Sequence, residues 1–212
     1  SLEGPAPANH PLWWIPLTYT STNRSDFSNT TPSGWFSTKG PETVPNLRLA
    51  DSEWIIFNLQ VKAPYKVYYS RETWILLQQA LSDEASYLKI HPNNRREILQ
   101  DIFNLAGLGY MPYTTAFAMT KYLRHETNPL VLSAAYTILR EIDIKLRRTP
   151  NYESTKKYLK SLMEPTFTRS GSLLDVPTEF KAMEKKNTLT NLASYFEDET
   201  YEEEALRLFK MW

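Results

Sequence analysis

The residues His125-Glu126 open as the helix of a zinc peptidase does. In the motif H-E-x-x-H, two histidines one helical turn apart hold the metal while the glutamate acts as general base. Four residues after His125 this chain has Pro129, which has no ligating side chain, so the motif stops halfway. The other two histidines, His10 and His91, each precede a proline and read as turn residues. Asp101 follows Arg95 by six residues and Glu97 by four; it reads as an ion-pair partner of Arg95, a structural rather than an acid–base arrangement. No cysteine is present, which excludes disulfides, thiolate metal sites and cysteine nucleophiles together. The sequence also has no G-x-S-x-G elbow, phosphate-binding glycine loop or dinucleotide fingerprint. It predicts no catalytic residue, no metal ligand and no cofactor in this chain.

Two N-x-Ser/Thr triplets, at Asn23 and Asn29, lie in a polar stretch rich in turn formers, as glycosylated loops of secretory proteins do. Lysine plus arginine and aspartate plus glutamate both number 24. With no global field to attract polyanions, nucleic acid is excluded as a partner. No run approaches the roughly 18 apolar residues of a membrane span, and SLEGPAPANHP lacks the apolar centre of a signal peptide. Any targeting or anchoring element is expected outside this sequence.

The elements that carry these residues change character along the chain. Eight of the 14 prolines fall before residue 70. Between them stand short β-prone runs, Leu12 to Tyr19, Trp35-Phe36, Trp54 to Val61 and Tyr65 to Tyr69, which predict antiparallel strands of a sandwich. Pro16 places its run at an edge or a bulge. Trp13, Trp14, Trp35 and Trp54 read as sandwich core, in which alternation buries at least every second one. An aromatic platform for carbohydrate or peptide is the alternative.

From Arg71 onward the apolar spacing becomes helical. It predicts helices over Arg71 to about Lys89, a hairpin from His91 to Leu123, a helix from Pro129 until Thr149-Pro150, and another from Tyr152 to about Glu164. Two weaker helices follow, near Thr178 to Tyr195 and Glu202 to Trp212. After Pro165 the sequence reads as a loop. The fold class is α+β: a partial β-sandwich domain over 1–69, then an α-helical domain over 70–212 whose helix pairs stack as a HEAT-like solenoid. Lys145, Arg147, Arg148, Lys156, Lys157 and Lys160 form a basic region, and Glu197 to Glu204 an acidic one. Both read as solvated surface, with protein docking as the alternative.

The hairpin is the most clearly punctuated stretch. Asn93 or Asn94 is placed to cap its first helix, whose buried stripe runs through Ile98, Leu99, Ile102, Leu105 and Ala106. Gly107 and Gly109 close that helix, and Pro112 suits the first turn of the next. The run IHPNNRREILQDIFNLAGLGYMPYTTAFAMTKYL, which contains Asn94, Arg95, Asp101, Gly109 and Pro112, closely resembles the first helical pair of the C-terminal domain of the aminopeptidase N family of zinc exopeptidases. Upstream, LRLADSEWIIFNLQVKAPYKVYYSRETWILLQQAL resembles that family's passage from β-sandwich into helices. WWIPLTYTS resembles the latter part of its sandwich.

The resemblance implies a parent zinc aminopeptidase, extracellular or at the cell surface. Its catalytic and N-terminal domains precede these residues, hold the zinc and are this chain's partners. The present segments are expected to form the hinge and the arch over the catalytic cleft, with both ends of the family's sandwich-plus-helix region cut short. Secreted members commonly carry a disulfide shortly before an L-F-x-x-W run; the corresponding positions here are Ser194 and Tyr201, which cannot form one. Family members also serve as receptors for viral spikes or bacterial toxins, so a protein-binding module is the second expectation. A free-standing helical-repeat adaptor is the third.

Overall fold

A computed structural model describes residues 13–37, 40, 41, 43, 44, 47–169 and 171–212; His10 lies outside them. The chain divides into two compact units, Ser1–Leu77 and Gln78–Trp212.

The first unit is built on four short strands, β1 Ile15–Leu17, β2 Tyr19–Ser21, β3 Gly34–Phe36 and β4 Ile55–Phe57. They form two antiparallel ladders, β1 with β3 and β2 with β4. Pro16 lies opposite Trp35, in a ladder of two strands where each has an open side for the missing N–H. Leu17, Phe27, Trp54, Ile55, Ile56, Leu59, Tyr69 and Trp74 are buried. Of the four tryptophans, at least every second of which alternation is expected to bury, only Trp54 is buried. Trp13, Trp14 and Trp35 are 78%, 68% and 52% exposed; the first two precede β1, and the short ladder of β1 with β3 does not cover the third among the described residues.

The strand expected over Trp54 to Val61 breaks at Asn58, where φ is 57°. Asn58 tolerates this left-handed backbone because its short amide bonds locally. Its Nδ2 donates to the carbonyls of Ala63 and Tyr65 at 2.7 and 3.3 Å, and its Oδ1 accepts from Ala63 N–H at 3.1 Å. The side chain thereby does for the turn what a ladder partner does for a strand. Tyr65 to Tyr69 forms no strand. The segment after Pro64 is fastened by side chains instead: the Tyr65 hydroxyl donates to the Pro16 carbonyl and the Tyr69 hydroxyl accepts from Phe57 N–H.

Helix α1, Arg71–Ser82, spans the division between the units. It ends before the expected Lys89, because Asp83 accepts from the Ser86 N–H at 2.7 Å and starts a separate turn. The helices beyond it are α2 Pro92–Gly107, α3 Tyr113–Met119, α4 Pro129–Leu146, α5 Tyr152–Thr168, α6 Phe180–Tyr195 and α7 Glu199–Met211. A 3-10 turn, Thr120–Arg124, extends α3.

His91, not Asn93 or Asn94, caps α2: its Nδ1 accepts from Asn93 N–H, and Pro92 opens the first turn. Gly109 sits at φ 80° beyond the end of α2, where Tyr110 N–H reaches back to the Leu105 carbonyl. Pro112 stands just outside the first turn of α3. Helix α5 runs through Pro165 to Thr168, past the expected stop. Proline there forfeits only one bond of the final turn, and that turn is held from outside by the Thr166 hydroxyl, which donates to the Leu123 carbonyl at 3.1 Å.

The stripes of α2, α4 and α5 meet in one core: Ile98, Leu99 and Ile102 with Leu132, Ala135, Leu139, Leu159 and Leu162, all buried. Phe117 stands edge-on to both Phe103 and Tyr158, at 5.7 and 5.9 Å between ring centres. On α7, Leu206 and Phe209 face outward, as does Trp212 beyond its end. No helix among the described residues is long and apolar enough to cross a membrane.

Candidate functional site

The strongest polar constellation is buried at the start of the hairpin. Arg95 stands one turn before Ile98 and Leu99, so the stripe that builds the core also carries a guanidinium into it. Its side chain is 3% exposed and meets Glu126, 0% exposed, at 2.7 Å from Nε to Oε2. A second bond, Nη2 to Oε1 at 3.1 Å, makes the pair bidentate. The remaining nitrogen, Nη1, donates to the Ile90 carbonyl at 2.5 Å and the Tyr87 carbonyl at 3.4 Å. The Tyr87 ring lies 5.0 Å from the guanidinium carbon, within cation–π range.

Glu126 is equally saturated. Besides the two bonds from Arg95, its Oε1 accepts from the N–H groups of Thr127 and Asn128 at 2.9 and 2.8 Å. Asn128 Oδ1 in turn accepts from Leu130 N–H, capping α4. One carboxylate therefore joins the first turn of α2 to the approach of α4.

Tyr122, fully buried, donates its hydroxyl to the Arg95 carbonyl at 3.3 Å. Burial pushes this hydroxyl well above the ordinary tyrosine range; the negative charge of Glu126 pushes the same way, against Arg95. It stays a proton donor. His125 completes the group: its ring lies 4.6 Å from that of Tyr87, its Nε2 is 3.0 Å from the Leu81 carbonyl, and its own carbonyl accepts from the Tyr87 hydroxyl at 2.9 Å.

This geometry corrects the reading of Asp101 as the partner of Arg95. Asp101 is buried, but the carboxylate that meets Arg95 comes from 31 residues away. It also decides whether the half motif His125-Glu126 fits zinc, and it does not. Glu126 has no solvent-facing oxygen for a metal or a substrate water, and His125 Nε2 is already directed at a backbone carbonyl. Among the described residues, no group of three histidine or carboxylate side chains is placed to hold a metal ion.

Two further clusters tie the later helices together. Asp143 on α4 meets Arg147 Nη2 at 2.6 Å and accepts from the Tyr195 hydroxyl on α6 at 2.8 Å. Burial opposes ionisation of Asp143, yet the hydrogen bonds from Arg147, Tyr195 and Tyr152 outweigh it and hold the carboxyl below its ordinary range. The Tyr195 hydroxyl is pushed up to about 12 by burial and by the hydrogen bond and charge of Asp143. The second cluster joins the basic and acidic stretches. Lys156 meets Glu197 at 2.7 Å, Lys160 lies 3.6 Å from Glu199, and Lys160 also donates to the Glu197 carbonyl. These two lysines are thus partly neutralised within the unit. The Asp143–Arg147 pair has the i, i+4 spacing that a single helix makes readable; the ties to Tyr195 and from Lys156 and Lys160 to the acidic stretch are not legible from local spacing.

A cavity of about 400 Å³ lies between α5 and α7, with Phe167, Tyr201, Glu164, Asp198 and Glu204 in its wall. Two of its carboxylates already serve the backbone: Asp198 caps α7 through Tyr201 N–H, and Glu204 accepts from Leu173 N–H. Of the two positions expected to correspond to the family's disulfide, Ser194 is exposed and Tyr201 is buried with its ring 6.3 Å from Phe167. Asn94 is buried, while Asn23 and Asn29 are exposed.

Residues 54–212 match the model of the ERAP1-like C-terminal domain. A membrane alanyl aminopeptidase of Manduca sexta is 39% identical over 115 residues, which is 54% of this chain and 11% of that protein. Aminopeptidase N of Plutella xylostella is 30% identical over 161 residues, 76% of this chain and 17% of the relative. Aminopeptidase N of Rattus norvegicus is 26% identical over 187 residues, 86% and 18% respectively. The chain thus spans less than a fifth of each of these relatives. It belongs to the aminopeptidase N family, within the C-terminal region that carries the ERAP1-like domain.

Proposed function

We propose that this chain is a non-catalytic part of a zinc metallo-aminopeptidase that removes N-terminal amino acids from peptides outside the cell. The strand-bearing segment acts as the hinge, and the helix pairs stack as a HEAT-like solenoid arching over the cleft. Zinc and the catalytic residues belong to other parts of the parent. The observation that carries this reading is the saturation of Glu126. The one carboxylate that the sequence offers in a zinc-peptidase context is spent on joining two helices, which is what a rigid arch needs and what a general base cannot spare.

The test has two arms. The chain alone is assayed for bound zinc and for hydrolysis of alanyl chromogenic amides, with neither expected; stoichiometric zinc together with turnover refutes the reading. In the parent enzyme, Arg95→Met is expected to leave zinc content unchanged and to raise KM for long peptides more than for the small amide. Equal effects on both substrates refute the arch.

A second reading, a docking surface for a toxin or viral spike, draws support from the exposed Trp13, Trp14 and Trp35, since solvent-facing tryptophans are typical anchors of protein interfaces. Loss of such binding in Trp14→Ala and Trp35→Ala, with binding retained after glycan removal, would favour it.

A further inference from the structure

We propose that, of the two sequons, Asn23 is the N-glycan acceptor and Asn29 is left largely bare. The inference rests on the reading of an extracellular parent.

Asn23 stands in a turn that the fold presents outward. Thr22 beside it is pinned on both sides to Trp54: Thr22 N–H donates to the Trp54 carbonyl at 3.2 Å, and Trp54 N–H donates to Thr22 Oγ1 at 3.0 Å. The turn then closes through Arg24 N–H and Ser25 N–H, both donating to the Ser21 carbonyl at 3.0 and 2.8 Å. Between these anchors the Asn23 side chain is exposed and has no partner among the described residues. A bulky, solvated modification there displaces no contact. Ser25, the hydroxyl residue of the sequon, sits at φ 41°, so the backbone bends where the hydroxyl must be brought toward the acceptor amide. Its Oγ donates to the Thr22 carbonyl at 2.9 Å, which leaves the oxygen lone pairs available to the amide.

Asn29 differs in one respect that matters. Its sequon, Asn29-Thr30-Thr31, is followed directly by Pro32. The proline ring clashes with a bent backbone at the preceding residue and drives it to extended geometry, which opposes the approach of the Thr31 hydroxyl to the Asn29 amide. Asn29 is exposed, with its Oδ1 accepting from Thr31 N–H at 3.1 Å and its backbone N–H bonding to the Asp26 carboxylate. Exposure is therefore equal at the two sites, and a side-chain amide already held in its own turn, together with the proline that follows, separates Asn29 from Asn23.

The transfer uses a lipid-diphosphate-linked oligosaccharide as donor. The Asn23 Nδ2–C1 bond forms, the bond from C1 to the diphosphate oxygen breaks, the lipid diphosphate leaves with the electron pair, and the amide gives up one proton.

To test this, the whole chain is expressed behind an added secretion signal in cultured mammalian cells. The added signal supplies the compartment, so the result bears on the sites and not on the extracellular reading. That reading is tested by whether the parent reaches the cell surface in its own cells. Total chain from cells and medium is digested, deglycosylated enzymatically in heavy-oxygen water and mapped by mass spectrometry, which scores retained chain as well as secreted chain. Label is expected at residue 23 in most molecules, several-fold above residue 29, and is lost from residue 23 in Ser25→Ala. Pro32→Ala is expected to raise label at residue 29 several-fold. An unlabelled residue 23, or label at residue 29 equal to or above it in the unaltered chain, overturns the assignment. No response to Pro32→Ala overturns its physical basis.

Discussion

Replacing Glu126 with glutamine is the sharpest perturbation of the buried pair, because it keeps the shape and removes the charge. Glu126 accepts four hydrogen bonds, two from Arg95 and one each from Thr127 and Asn128 N–H. Its oxygens are beyond the reach of water, at 0% exposure. Glutamine retains one acceptor oxygen and turns an NH2 toward donors, leaving the guanidinium uncompensated. Breaking such a pair from one side costs about 3–5 kcal/mol, against total stabilities of about 5–15 kcal/mol for domains of this class. Urea unfolding followed by helical circular dichroism measures it on the whole chain. Arg95→Met should cost a similar amount, and the double variant Arg95→Met with Glu126→Gln should cost clearly less than the two singles added together, since the second change removes the charge that the first stranded. Glu141→Gln provides the internal contrast. Its pair with Lys145 spans 3.8 Å, with both side chains more than half exposed, and no measurable change is expected. A loss below about 1 kcal/mol for Glu126→Gln, the range of solvated pairs, would refute the claim that this carboxylate is sealed and holds two helices together.

Further outcomes follow from the other ties. Tyr195, with its hydroxyl pushed up to about 12, favours folding fully below the ordinary tyrosine value of 10.0 and loses that contribution as pH rises through about 12; Tyr195→Phe should flatten this alkaline loss in pH-dependent urea midpoints. Asp143 has the opposite sense: its lowered carboxyl stabilises the fold above the ordinary carboxylate range and ceases to as pH falls below it, so Asp143→Asn should flatten the acid limb. Asn58→Ala should cost about 3 kcal/mol in the same unfolding assay, the sum of three lost hydrogen bonds at about 1 kcal/mol each, with added backbone strain at its positive φ. Gly171→Ala should cost about 1 kcal/mol, since φ is +74° and a Cβ would stand 3.1 Å from Asp175 Oδ2.

Arg95 shows where sequence reading reached and where it stopped. The stripe Ile98, Leu99, Ile102 was plain from three- and four-residue spacing, and Arg95 lies on its N-terminal extension. A cation on a buried face demands a carboxylate, and that demand is readable. Its source is not, because Asp101 on the same helix and Glu126, 31 residues on, satisfy the demand equally well on paper. Only the packing of α2 beside the approach to α4 brings Glu126 to 2.7 Å. The same limit explains α5. Pro165 is a sound local stop signal, yet Thr166 reaches the Leu123 carbonyl, 43 residues away, and that bond carries the helix one more turn. In the first unit the β-prone runs marked β1, β3 and β4 but overstated the length of β1 and β4; Asn58 ends β4, and the segment after Pro64 is held by side-chain bonds in place of a ladder.

His125-Glu126 is the instructive case for function. Read along the chain it is the start of a metal motif; read across the fold it is a carboxylate already given four donors and an imidazole already given a carbonyl. Chemistry at a glutamate requires an unsatisfied oxygen facing substrate, and stability of a buried glutamate requires the reverse. One residue cannot meet both demands, so the saturation of Glu126 turns a sequence resemblance to a catalytic motif into an argument for a structural role.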